Sequence, residues 1–378
     1  MTDGNAIALV DLKAQYDALR PEIDARIQKV LDHGQFIMGP EVTELEAALA
    51  DFTGAAHAVA VSSGTDALLA ALMAIGAGPG NAVYLPAFTF PATTEVVVLL
   101  GASPVFVDID PDTYNMDPVA LEDAVRRSAT SGNLTPKAVI PVDLFGLPAD
   151  YPRIAEIAAA HGMTVIADGA QSIGAALNGR CVGTLADITT ASFFPAKPLG
   201  CYGDGGAVLT DDDAVAGILR SIRAHGKGDG KYDIVRLGLN ARLDTLQAAI
   251  LLAKLGVFAD EIARREQVAA TYDAMLPNAV TRPARVAGAQ SAWAQYTIRA
   301  ADRDGLATGL AADGIPTAVY YPRPMHLQAP YASYGGGEGS MPVSERAAAE
   351  VLSLPMHPYL TEDDIARICS SIGERVAR

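Results

Sequence analysis

The chain has 378 residues, a length that suits two domains better than one core. Half of the residues are apolar and 19% are charged, a composition that can bury a large interior and excludes a disordered chain. Lys and Arg number 28 against 44 Asp and Glu, a formal charge of −16 with no basic run, which disfavours a nucleic-acid groove or an anionic membrane surface. The opening MTDGNAIALVDLKAQYDALR lacks the basic-then-apolar order of a signal peptide, and Gly, Pro or charge breaks each apolar stretch before a bilayer span. Cys181, Cys201 and Cys369 are widely spaced and odd in number, and the six histidines are scattered, so neither a disulfide framework nor a metal-ligand spacing is present. A cytoplasmic protein is expected.

In chain order, an amphipathic segment from Leu19 to Leu31 predicts a helix, and Val42 to Phe52 repeats apolar positions at helical spacing. A unit of short apolar run, small-residue turn and helical stretch then recurs. Val59–Val61 leads into SSGTD, and Ala82–Leu85 leads into PAFTFPAT. Pro104–Asp108, Ala138–Val142 and Thr164–Ala167 continue the series, the last ending in Asp168. This alternation predicts an α/β fold with a mostly parallel sheet between helices, its chemistry at the carboxyl ends of the strands. Beyond a helix around Asp244–Leu255 the pattern changes to a second helical stretch, Asp260–Met275, and strand-like pieces near Gln295–Ile298 and Thr317–Tyr320. A large domain over 1–255 and a small α+β domain over 256–378 are therefore expected, with residues 334–342, YGGGEGSMP, as a surface loop.

Three segments carry chemistry. SSGTDALLAAL (62–72) places a Ser/Gly/Thr turn at a helix start, where unpaired N–H groups and the helix dipole favour an anion. Gly64 permits close approach and Thr65 opens the helix, although the same residues also suit a plain N-cap. It is neither a Walker loop nor a dinucleotide fingerprint, which excludes the usual nicotinamide enzymes. In VIADGAQS (165–172), Asp168 closes an apolar strand, a costly place for a carboxylate unless a positive or donating partner meets it. A pyridinium nitrogen is one such partner; a helix cap or a metal is another. In SFFPAKPLGCYGDGGAV (192–208), Lys197 has no charged residue within six positions. A lysine in such surroundings loses its charge more readily and becomes a usable amine nucleophile. Ser192 stands in the same segment as a second phosphate donor.

SGTDAL, AFTFPAT, ADGAQSIGA, SFFPAKPLGCYGDGGA and LGLNARLDTLQAA occur in the order found in the DegT/DnrJ/EryC1/StrS family, and the chain resembles that family from about Asp11 to its carboxy terminus. The resemblance implies a pyridoxal 5'-phosphate (PLP) transferase of fold type I that aminates nucleotide-linked keto sugars. By the same resemblance, Lys197 matches the lysine that holds the cofactor as a Schiff base, and Asp168 its pyridinium partner. Gln171 matches the residue beside the ring oxygen and face, Phe90 the stacking aromatic, and Gly64, Thr65 and Ser192 the phosphate cradle. Asn240 resembles the residue that reaches the phosphate from a neighbouring subunit, which implies a homodimer with shared sites.

On the substrate side, Arg242 matches an arginine implicated in holding a sugar carboxylate. AVYYPRPMHLQ (318–328) is similar to a substrate segment often written VHYPxPxHxQ, keeping Tyr321 and His326 but carrying Tyr320 in place of His. His225, Lys227 and Lys231 are further candidates near a nucleotide. The resemblance implies L-glutamate as amino donor and a UDP-linked 2-acetamido-3-keto-hexuronic acid as acceptor, for surface-polysaccharide amino sugars. A dTDP- or UDP-linked 3-keto or 4-keto deoxy sugar is the alternative. A dehydratase branch carries histidine in place of Lys197, so lysine here argues for amine transfer; a cofactor-binding regulator is the rival without catalysis.

Overall fold

The computed structural model describes residues 7–131, 133–230 and 232–376. Helix α1 (Leu12–His33) starts at Asp11, whose carboxylate accepts from the Ala14 N–H, and stops at Gly34 with φ 70°. Helix α2 (Pro40–Thr53) begins on proline, whose missing N–H costs nothing in a first turn. Strand and helix then alternate: β1 (His57–Val61), α3 (Gly64–Ala74), β2 (Asn81–Pro86), α4 (Pro91–Leu99), β3 (Ser103–Val107), α5 (Pro118–Ser131), β4 (Thr135–Val139), α6 (Tyr151–Ala160) and β5 (Thr164–Asp168). A short hairpin, β6 (Ala176–Leu177) and β7 (Arg180–Cys181), precedes β8 (Ile188–Ser192), β9 (Gly206–Thr210), α7 (Asp213–Ile222) and α8 (Thr245–Met275). The chain ends with β10 (Ala289–Gln290), β11 (Tyr296–Arg299), α9 (Arg303–Ala312), α10 (Pro342–Glu350), β12 (Val351–Leu354) and α11 (Glu362–Val376).

Seven strands form the main sheet in the order β1-β9-β8-β5-β4-β2-β3. Only β9 runs antiparallel, to both of its neighbours, so β1 points the same way as β8 and the parallel strands. The carboxyl ends of β1, β2, β4, β5 and β8 consequently open on one edge. Alternate side chains serve opposite faces, as a strand requires. Val59, Val61, Val83, Leu85 and Ile166 pack on one face with Leu68, Leu72, Val96 and Leu219. On the other, Ala60, Ala191 and Ala207 meet Leu45, Leu251 and Phe258, while Tyr84 and Val165 meet Val125 and Ile154.

A separate core gathers Val268, Tyr272, Tyr296, Ile298, Leu352, Leu354 and Ile368 around the β11–β12 pair. The two helices expected around 244–255 and 260–275 are one helix of 31 residues. The division expected at 255/256 thus falls within α8, whose Phe258 and Ile262 still pack in the sheet's core while Val268 and Tyr272 pack in the small one. Ile7 joins the small core as well, and the Met356 N–H donates to Leu9 O. Thr317–Tyr320 is not a strand; Ala318 alone bridges to Ser353. Among the described residues no helix is long and apolar enough to cross a membrane.

Candidate active site

The phosphate cradle is built where β1 ends. Ser63 caps α3 by accepting from the Asp66 N–H at 3.0 Å, and its carbonyl accepts from the Ala67 N–H. That leaves the first N–H groups of the helix, at Gly64 and Thr65, directed at the sheet edge. Ser192 closes the cradle from β8, because the β1–β9–β8 register sets Val61, Gly206 and Ser192 in one row. The approach is so close that a Cβ on Gly64 would lie 2.7 Å from Ser192 Cβ. Glycine is required here for space rather than for φ.

Asp168 closes β5, almost fully buried. Its Oδ2 accepts from Thr93 Oγ1 at 2.8 Å and its Oδ1 from the Ala170 N–H at 3.2 Å. Burial pushes its carboxyl above the usual range, while Thr93, the Ala170 N–H and the charge of Lys197 pull it back down. Lys197 answers in kind: burial pushes its ammonium down, and Asp168 pulls it up. Its backbone N–H is held by Phe194 O in the tight turn after β8, and among the described residues no hydrogen bond or ion pair occupies its Nζ. The lysine is half-buried, electrically coupled to Asp168 and otherwise uncommitted.

An aromatic wall stands beside them. Phe90, at the start of α4, is 53% exposed, which leaves its ring open to a ligand face. Its centroid lies 6.1 Å from that of Tyr321, which also meets Phe88 and Tyr320. Gln171 Oε1 accepts from the Phe145 N–H at 2.6 Å, and its Nε2 donates to Tyr321 Oη at 3.3 Å. The backbone donor fixes which way the Gln171 amide faces, so its NH2 is the end turned to the site. Burial, then the Asp168 charge, raises the Tyr321 phenol well above its ordinary value, keeping it a neutral donor.

The remaining candidates are distributed unevenly. Ala241 is fully buried and its carbonyl accepts from the Ser62 N–H, so this segment runs beside the cradle of its own chain. Exposed Asn240 and half-buried Arg242 flank it, and Arg242 Nη2 donates to Asn240 Oδ1 at 2.7 Å. The Nε of Arg242 is buried and has no hydrogen-bond partner among the described residues. His326 differs from expectation. It has no exposed surface; its Nε2 lies 3.0 Å from Glu345 Oε1 and its ring packs edge-on to Phe106. A sugar or nucleotide contact has no exposed atom of His326 to use, because the loop through 335–341 and Glu345 cover it. That loop is pinned by the same carboxylate, which accepts from the N–H groups of Gly339 and Met341. His225 and Lys227 are exposed; Lys231 lies outside the described residues.

Two buried participants escaped the sequence reading. Thr93 carries no local signal, since its partner Asp168 is 75 residues away. Asp143 does carry one: in AVIPVDLF it follows an apolar strand just as Asp168 does. Among the described residues no cluster of His, Cys, Asp or Glu could hold a metal, and all three cysteines are free.

A cradle tight enough to demand glycine, a buried carboxylate and an uncommitted, charge-depressed lysine on one sheet edge fit a phosphorylated pyridine aldehyde such as PLP. Comparison with known proteins agrees. A model of the DegT/DnrJ/EryC1/StrS aminotransferase family matches residues 17–373. A Pseudomonas aeruginosa UDP-2-acetamido-2-deoxy-3-oxo-D-glucuronate aminotransferase is 49% identical over 97% of this chain and 99% of its own. An Acidithiobacillus ferrooxidans UDP-N-acetyl-3-dehydro-alpha-D-glucosamine 3-aminotransferase is 44% identical over 98% of both chains. The crystal structure of NtdA from Bacillus subtilis with the bound cofactor PMP superposes with a TM-score of 0.88, at 30% identity over 98% of this chain and 83% of that one.

Proposed function

Because the chain belongs to the DegT/DnrJ/EryC1/StrS aminotransferase family, we propose that it uses PLP to move an amino group from L-glutamate to a nucleotide-linked keto sugar, in the cytoplasm and as a homodimer with shared sites. The observation that carries this reading is Lys197, whose Nζ has no hydrogen bond or ion pair among the described residues and which is charge-coupled to buried Asp168, beside the Gly64–Ser192 cradle. Bound there, the cofactor supplies an electron sink for the substrate carbon and a carrier for the amine. The α3 N–H groups and Ser192 bind its phosphate. Asp168, held by Thr93 and the Ala170 N–H, keeps a proton at the ring nitrogen. Phe90 would stack against the cofactor's ring and the Gln171 amide would donate to its ring oxygen. Lys197 Nζ, lowered in basicity by burial, would hold the cofactor and, when freed by the donor's amine, would carry the proton from the donor's α-carbon to the cofactor.

The acceptor we favour is a UDP-linked 2-acetamido-3-keto-hexuronic acid. Arg242 supports it: a half-buried guanidinium suits a carboxylate that the alternative sugars lack. The same arginine's bond to Asn240 favours the second reading, a UDP-linked 3-keto sugar without the carboxylate, since it gives Arg242 a duty in the absence of any acid. For the dimer, Leu237 (87% exposed), Ile234 and Val235 precede Asn240, and exposed Ile37 bridges to Asp244 just beyond it, apolar residues that a second copy would cover.

The test is direct. Added PLP should give a visible absorbance band that Lys197→Ala abolishes; no band in the wild type would end the proposal. With glutamate and a panel of UDP- and dTDP-linked keto sugars, mass detection should find the amino product from a UDP-linked 3-keto sugar. Arg242→Ala should weaken a hexuronate selectively by about tenfold or more. Equal losses on neutral sugars would transfer the assignment to the second reading.

A further inference from the structure

Asp143 is a fully buried carboxylate that no step of the proposed reaction uses. It follows β4 on the edge where β5 ends in Asp168, and the two backbones are interlocked. The Asp143 N–H donates to Asp168 O at 3.1 Å, and the Asp168 N–H donates to Pro141 O at 2.9 Å. Three donors converge on its carboxylate: Ser172 Oγ at 2.6 Å on Oδ2, and the Ala149 N–H and Tyr151 Oη, each at 2.8 Å, on Oδ1. Ser172 lies in the turn that follows Asp168 and contains Gln171. Ala149 and Tyr151 end the loop that contains Phe145, whose N–H sets the Gln171 amide.

We propose that Asp143 is a positioning residue for Asp168 and Gln171, fastening the turn that carries both to the loop that orients Gln171. The proposal rests on the reading of those two side chains as ring contacts. The loop it fastens is strained in the way that over-determined sites are: Phe145, a non-glycine, sits at φ 60° and Gly146 at φ 97°. A Cβ at Gly146 would come within 2.8 Å of the Trp293 nitrogen, and the Ala292 N–H donates to Gly146 O at 2.9 Å, so the backbone of 292–293 holds the same loop closely. Burial pushes the Asp143 carboxyl up to about 6; its three donors pull it down, and the charge of Asp168 pushes it up again. The two carboxylates therefore sense each other as well as sharing a backbone pair.

The experiment compares the holoenzyme with Asp143→Ala, Asp143→Asn, Ser172→Ala and Tyr151→Phe. Four quantities are read: the PLP dissociation constant, the pH midpoint of the visible cofactor band, kcat and KM for the amination, and the unfolding temperature. Asp143→Ala should shift the band's midpoint by about half a pH unit or more and lower kcat about tenfold, with KM for the sugar little changed. Asp143→Asn, which keeps the shape and an oxygen acceptor, should recover most of kcat. Ser172→Ala, which cuts one strut and leaves Asp143 in place, should show the same shift to a smaller degree. Variants that melt earlier yet keep wild-type band midpoint and kcat would reduce Asp143 to a structural residue and overturn the proposal. Should Asp143→Ala fail to fold, unchanged midpoints in both Ser172→Ala and Tyr151→Phe would do the same. A wild-type protein with no Lys197-dependent band would instead refute the cofactor reading, and the positioning role with it.

Discussion

Burial raises both carboxyls at the site edge, Asp168 and Asp143, and their surroundings then treat them differently. Asp168 faces Lys197, whose charge lowers it; Asp143 faces hydroxyls, a backbone N–H and the like charge of Asp168. The consequence for stability has a definite sign. Asp143 goes from an ordinary value of 3.8 to about 6 on folding, so the folded chain binds that proton more tightly. Its contribution is fully present below about pH 4 and is lost as pH rises through about 6. Asp143→Asn cannot titrate. The stability of the variant relative to wild type, from urea unfolding of the apo-protein, should therefore climb between about pH 4 and pH 6 by on the order of 2 kcal/mol. A pH-independent difference would show that Asp143 carries no displaced proton. The sequence signal that marked Asp168, a carboxylate closing an apolar strand, stood equally at Asp143. Thr93 had no such mark, because a lone hydroxyl acquires meaning only from a partner brought to it by the fold.

At the scale of elements, α3 shows how packing overrules propensity. Alanine is the better helix former by about 1 kcal/mol, yet position 64 holds glycine because β8 passes so near. Gly64→Ala should consequently weaken PLP binding about tenfold or more while preserving the secondary structure by circular dichroism, since the added methyl wedges Ser192 away from the cradle. Titration of apo-protein with PLP, followed by absorbance, measures this; unchanged affinity would mean that the cradle does not hold the phosphate. Helix α8 shows the opposite case. The expected division at 255/256 falls beside Gly256, but the helix continues through it, packed in the sheet's core as far as Ile262 and in the small core from Val268. Those contacts outweigh the roughly 1 kcal/mol that an interior glycine costs.

For the whole molecule, the exposed apolar residues near Asn240 in the chain bear on whether one chain makes a complete site. Ala241 is anchored in its own core, and its neighbours Asn240 and Arg242 face outward. If Asn240 serves the site of a second copy, Lys197→Ala and Asn240→Asp should each be inactive alone and complement when mixed after subunit exchange. Random pairing in a two-fold dimer restores about a quarter of the sites, so the mixture should regain about a quarter of wild-type activity. No recovery despite proven exchange would confine each site to one chain.

The sequence by itself determined the α/β alternation, the start of α3 at its Ser-Gly-Thr turn, and the residue types the chemistry requires: a lysine in apolar surroundings and an aspartate ending a strand. These are local, because periodicity is set by backbone geometry and reactivity by side-chain type. The sequence placed the start of α1 at Leu19, seven residues inside the helix that Asp11 caps. Only the tertiary structure decided which groups answer them. It turned Gln171 with a backbone N–H from Phe145, placed Asp143 behind Asp168, joined two expected helices into α8 and closed His326 beneath Glu345. Each of those outcomes depends on contacts between residues distant in the chain, where burial removes water and leaves a polar group dependent on the partner the fold supplies.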